Sequence, residues 1–112
     1  MIEDKLRIIV IYKSLLNDVY KAMINIPKEH YCLKELVINE MFNYLKELYL
    51  SNDIINKDVR INLKEKVVIK FKYICSLIRI LNENKILGER KYLQISEKEK
   101  LILLLFNGWK KI

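Results

Sequence analysis

A chain of 112 residues with only two glycines and one proline has few means of turning tightly. Glycine opens backbone angles closed to other residues, and proline stops helices. Folds built from many short strands therefore need both in quantity. Their scarcity points to a few long helices with short connections. The single proline also fixes one boundary, because the residue before it is biased away from helical geometry. A helix that runs into Pro27 must end near Ile26.

Apolar residues recur at three- and four-residue intervals along most of the chain, the signature of helices with one face against a core. The first predicted helix covers about residues 4–26, with a stripe of Leu6, Ile9, Val10, Leu16, Val19, Tyr20 and Met23. Residues 27–31 form a connector or a first turn. The second helix covers about 33–50, on Leu33, Leu36, Val37, Met41, Tyr44, Leu45 and Leu48. The third covers about 57–84, on Val59, Leu63, Val67, Phe71, Ile74, Leu77, Ile78 and Leu81. The β-branched run Val67-Val68-Ile69 hints at a strand, but helical spacing on both sides outweighs it. Residues 85–95 read as a loop with Gly88 in its middle. Ser96 and Glu99 have the spacing of a capping box, which starts the fourth helix there and carries it to about residue 110. Four helices with three short connections predict an all-α, up-down-up-down antiparallel four-helix bundle in one domain, residues 1–112.

Residues 101–106 are apolar all round, which implies burial on more than one side. In so small a chain the second side is expected to meet another copy. Leu101, Leu104, Leu105 and Trp109 are the candidate oligomer interface.

Charge is divided unevenly. Residues 1–56 hold seven Lys and Arg against eight Asp and Glu, and residues 57–112 hold fourteen against six. The whole net charge of +7 thus comes from the second half. Such asymmetry points to an anionic partner, nucleic acid foremost. The candidate contacts are Arg60, Lys64, Lys66, Lys70, Lys72 and Arg79 on the third helix, with Arg90 and Lys91 beside Tyr92 in the loop. Cations hold phosphates and an adjacent aromatic ring can stack a base. Lysine on the solvent face of a helix is also the ordinary condition of a soluble protein.

Catalytic patterns are missing. His30 is the only histidine, and Cys32 lies two positions away, on a different side of any helix. Glu35, Glu40 and Glu47 lack the Glu-x-x-His partners of a di-iron bundle, and no glycine-rich phosphate loop exists. Neither cysteine belongs to a CxxC pattern, so Cys32 and Cys75 read as small core residues in a reducing compartment. No catalytic residue, metal ligand or cofactor site is expected. The N-terminus lacks the pattern of a signal peptide and no apolar run reaches bilayer length, so a cytoplasmic protein is expected.

Three short stretches resemble the four-helix-bundle family that includes the accessory variability protein of diversity-generating retroelements. The same family includes the proteins encoded by intervening sequences of bacterial 23S ribosomal RNA genes. Residues 20–30 (Tyr20 through Ile26-Pro27-Lys28-Glu29-His30) are similar to the family's close of helix one. Gln94-Ile95-Ser96 is similar to the start of its last helix, and Phe106-Asn107-Gly108-Trp109 to that helix's Gly-Gly-Trp or Gly-Ser-Trp end. The resemblance implies a homopentameric, non-enzymatic protein. In the retroelement branch it implies low-specificity binding of RNA or cDNA and docking of a reverse transcriptase through a basic surface. In the intervening-sequence branch it implies a structural or protein-interaction module. The turn Ile26-Pro27-Lys28-Glu29-His30 favours the retroelement branch. Residues 101–104 depart from the pattern, which has an acidic residue, a glycine and an arginine there, and Asn107 replaces a glycine.

Overall fold

The computed structural model describes residues 2–53 and 57–110, with side chains described for 7–51 and 62–108. Among them are four α-helices: α1 (Ile2–Ala22), α2 (Tyr31–Asp53), α3 (Lys57–Glu83) and α4 (Glu89–Lys110). A one-turn 3-10 helix (Lys28–His30) precedes α2. No strand occurs among the described residues. Each helix lies alongside its two neighbours in the cycle α1, α2, α3, α4 and back to α1. The bundle measures 45 × 23 × 18 Å, close to the length of its longest helix.

One aromatic ring from each helix meets at the centre of the bundle. Tyr12 packs edge-on against Tyr44 at 5.1 Å between ring centres, and Phe71 lies 6.3 Å from Tyr12, 6.0 Å from Tyr44 and 5.8 Å from Phe106. Such pairs add about 0.5–1.5 kcal/mol each beyond the area they bury. Both tyrosines are fully buried and both hydroxyls are satisfied. Tyr12 donates to the Met41 carbonyl at 2.7 Å and Tyr44 to the Val67 carbonyl at 2.6 Å. The first bond ties α1 to α2 and the second ties α2 to α3.

The core on α3 follows the expected stripe from Val67 onward, with Val67, Phe71, Ile74, Leu77, Ile78 and Leu81 all buried, while Leu63 is half-buried and the side chain of Val59 lies outside the described residues. On α1, Ile9, Leu16, Val19 and Met23 are buried as expected, the side chain of Leu6 lies outside the described residues, and the rest of the stripe differs. Val10 is 65% exposed and Tyr20 47%, while Ile8, Tyr12 and Leu15 are buried in their place. The run Ile8-Ile9-Val10-Ile11-Tyr12 is apolar at every position, so helical spacing alone fits several faces. On α2, Leu36, expected in the stripe, is exposed, and Val37, Met41, Tyr44 and Leu48 carry the buried face.

The turns explain two further departures. Helix α1 ends at Ala22, and Pro27, in extended geometry (φ −61°, ψ 152°), precedes the 3-10 turn. Helix α3 ends at a left-handed residue, Lys85 (φ 60°). The Ile86 amide donates to the Leu81 carbonyl at 2.9 Å and the Lys85 amide to the Asn82 carbonyl at 3.0 Å, the paired bonds of a Schellman cap. This compact cap lets α4 begin at Glu89, with the Gly88 carbonyl accepting from the Tyr92 amide at 2.9 Å. The predicted loop over 85–95 therefore shrinks to a turn. Ser96 and Glu99 lie inside α4 and do not form its N-terminal cap.

Candidate functional site

Successive residues of an α-helix are about 100° apart, which separates the cations of α3 into two groups. Lys66 and Lys70 are four apart and lie on the edge facing α2, where Lys70 forms an ion pair with Glu47. Lys72 and Arg79 are seven apart and lie on the opposite edge, facing α4. Between them the outward face of α3 carries exposed Ile69, Tyr73 and Ile80. The predicted cations thus border α3 on both sides and do not form one stripe.

One candidate falls away from the surface for another reason. Lys64 is 3% exposed, which removes it as a surface contact. The side chain of Arg60 lies outside the described residues, as does that of Trp109. On α4, Arg90 is exposed and points away from the core, whereas Lys91 is half-buried. Lys91 precedes Lys98 by two helical turns, and Lys98 meets Asp18 and Ser14 of α1. Lys91 therefore belongs to the α1 flank.

The α3–α4 edge is where charge, an aromatic ring and a cavity coincide. Lys72, Ser76 and Arg79 of α3 and Tyr92 of α4 surround a cavity of about 200 Å³. Its floor holds Cys75 and Glu99. The Arg79 guanidinium is within hydrogen-bonding reach of the Tyr92 hydroxyl, which chiefly raises its already high pKa, with Glu83 and Glu99 adding to the effect. Lys72 makes no ion pair among the described residues.

Glu99 is the unusual member. It is 8% exposed, and its Oε2 has no hydrogen-bond partner among the described residues. Burial pushes its carboxyl pKa up; the Cys75 thiol, within hydrogen-bonding reach, and the Arg79 charge only partly oppose this. The Cys75 thiol is in turn pushed well above its usual range, by burial first and by the neighbouring carboxylate second. An inert, protonated thiol is the result. The capping-box spacing of Ser96 and Glu99 masks this pair in the sequence. The available signal was that Glu99 occupies the stripe Ile95, Glu99, Ile102, Phe106, otherwise entirely apolar.

The other candidates are placed as follows. Ile102 and Phe106 face the core, Leu103 and Leu105 are partly buried against it, and Leu101 and Leu104 are exposed, Leu104 at 67%. Four further large apolar side chains, Leu36, Phe42, Tyr49 and Leu50 of α2, are open to solvent. Cys32 is exposed on α2 rather than buried in the core. His30 is half-buried and its nearest charged neighbour is Glu29, at 3.8 Å. Among the described residues no group of His, Cys, Asp or Glu could hold a metal ion, and no helix is long and apolar enough to cross a membrane. Comparison with protein-family models, with curated proteins and with solved structures gives no match to this chain.

Proposed function

We propose that this protein is a non-enzymatic nucleic-acid-binding protein that takes up RNA or cDNA on its basic second half. The observation that carries this reading is the α3–α4 edge, where Lys72 and the Arg79–Tyr92 pair stand beside a cavity. Two cations and an aromatic ring at one edge are the parts that hold a phosphate backbone and engage an unstacked base. The family resemblance extends the proposal to an accessory protein of a diversity-generating retroelement, with a reverse transcriptase as protein partner and a homopentamer as the working form. A ring would repeat each weak contact and raise the effective affinity.

Fluorescence anisotropy with labelled mixed-sequence RNA and single-stranded DNA tests the proposal. Affinity is expected to fall steeply with salt, with a logarithmic slope of about −0.7 per phosphate contact. The double reversal Lys72→Glu/Arg79→Glu is expected to weaken binding at least about tenfold, a cost of about 1.4 kcal/mol. Binding that ignores both salt and the reversal overturns it.

The exposed apolar face of α2 favours a second reading, a structural or protein-interaction module of the intervening-sequence type. Several large apolar side chains exposed on one helix are a common mark of a protein contact. Reversing Lys66 and Lys70 to Glu separates the two: lost protein binding with nucleic-acid binding intact supports the module. Light scattering measures the mass of the assembly under either reading.

A further inference from the structure

Four exposed or partly exposed features of the molecule suggest a ligand. They are the α2 outer face, a groove between α1 and α2 around Tyr20 and Phe42, a groove between α2 and α3 closed by the Glu47–Lys70 pair, and the α3–α4 cavity. The first two are apolar and state nothing about what covers them. In the third, the one cation, Lys70, is already paired with Glu47. Among the described residues, only the fourth holds a buried polar group with unmet bonding capacity.

A carboxylate oxygen sealed from water without a donor costs about 1–3 kcal/mol, and more if charged. A chain retains such a group readily where a ligand supplies the donor. The cavity constrains that ligand in three ways. Glu99 at the floor accepts hydrogen bonds, so the inner end of the ligand must present N–H groups. Lys72 and Arg79 at the mouth are exposed cations, so its outer end must be anionic. A cavity of about 200 Å³ lies below the range of roughly 300–1,000 Å³ typical of drug-sized ligands, so the inserted part must be small. A single nucleobase with its phosphate left outside meets all three conditions.

Among the bases, guanine alone presents two adjacent donors, N1–H and N2–H, in the spacing of a carboxylate's two oxygens. Cytosine and adenine pair one amino group with a neighbouring acceptor, and uracil flanks its one N–H with two carbonyls. Either arrangement sets an acceptor against a carboxylate oxygen. We infer that the α3–α4 cavity is a pocket for one unstacked guanine of a single strand, with Glu99 accepting from the base edge and Lys72 and Arg79 holding its phosphate. The inference rests on the nucleic-acid reading above and adds a preferred base to it. Entry requires the long side chains at the mouth to swing aside, a rotamer motion of picoseconds to nanoseconds for exposed residues. Ionised Glu99 is the accepting form, and the guanine donors replace the water it lost on burial.

The test uses guanosine and uridine monophosphates as probes, followed by NMR chemical shifts of the protein. Guanosine monophosphate is expected to shift amides around residues 72–79 and 92–103 and to bind at least tenfold tighter than uridine monophosphate. Glu99→Gln, which puts an amide donor opposite the base donors, is expected to abolish that preference. Arg79→Gln, at an exposed position, is expected to weaken both nucleotides without removing it. Amide spectra show whether each variant stays folded, and Arg79→Gln keeps the test open if Glu99→Gln does not. Equal binding of the two nucleotides, no binding of either, or preference retained in folded Glu99→Gln overturns the pocket. Salt-dependent binding of mixed RNA with no base preference overturns the pocket alone. Absence of any RNA binding overturns the nucleic-acid reading along with it.

Discussion

The centre of the bundle and its α3–α4 edge both bury polar groups, and they treat them oppositely. At the centre, the hydroxyls of Tyr12 and Tyr44 each donate to a backbone carbonyl of the next helix. At the edge, Glu99 is buried with one oxygen lacking a partner. A satisfied polar group fixes the alignment of neighbouring helices at little cost. An unsatisfied one costs stability that the rest of the fold must offset. The centre is therefore organised for stability, and the edge is the place where stability is given up.

The largest effect that can test this contrast comes from emptying the centre. Phe71 contacts the rings of all three other helices, so Phe71→Ala is expected to lower unfolding free energy by about 3–5 kcal/mol in urea melts. A loss of less than 1 kcal/mol, a bound set from the same range, would show that the rings do not act as one layer.

At the edge the sign reverses. Glu99→Gln is expected to gain about 1–3 kcal/mol at neutral pH, because the charge need no longer be desolvated. The gain should depend on pH. The folded-state pKa of Glu99 is raised, so the folded chain holds its proton where the unfolded chain has released it. Its contribution to stability is therefore whole below the ordinary carboxylate range and is lost as pH rises through and above it. The difference between variant and parent should be small in acid and grow toward neutrality. Equal differences at both ends would place the Glu99 carboxyl in water.

Returning to the centre with a gentler change, Tyr44→Phe removes one hydrogen bond while Val67 keeps a place in α3's own ladder. The expected loss is about 1 kcal/mol, read from the same melts. The smallest effect lies at the turn joining α3 to α4. Lys85 is held at φ 60°, where glycine carries no steric cost, so Lys85→Gly is expected to stabilise by about 0.5–1 kcal/mol. Thermal unfolding resolves that difference.

How far the sequence could be read depended on what each segment made unambiguous. The α3 stripe was legible because its spacing persists for about seven turns and polar residues interrupt it regularly. The α1 stripe was legible only in part, because five consecutive apolar residues around Val10 fit more than one face. The start of α4 was misplaced because Ser96 and Glu99 imitate a cap by spacing alone, while the true boundary depends on the left-handed Lys85, a residue type that rarely signals such a turn. The charge division between chain halves was plain from composition. Its division around α3 was also present in the numbering: Lys66 and Lys72 are six apart, which sets them on different sides of a helix. The pairing of Cys75 with Glu99 needed the contact between α3 and α4 and could not come from either helix alone.

The two central tyrosines also make the protein a reporter of its own unfolding in alkali. Burial lifts both phenols far above their ordinary range, with Tyr12 and Glu47 adding to the effect at Tyr44. Both stay protonated in the folded chain and ionise only once the bundle opens. Because folded-state values are raised, their contribution to stability is whole below about pH 10 and drains away above it. Two of the seven tyrosines should therefore yield their phenolate absorbance in a cooperative step that coincides with loss of helix.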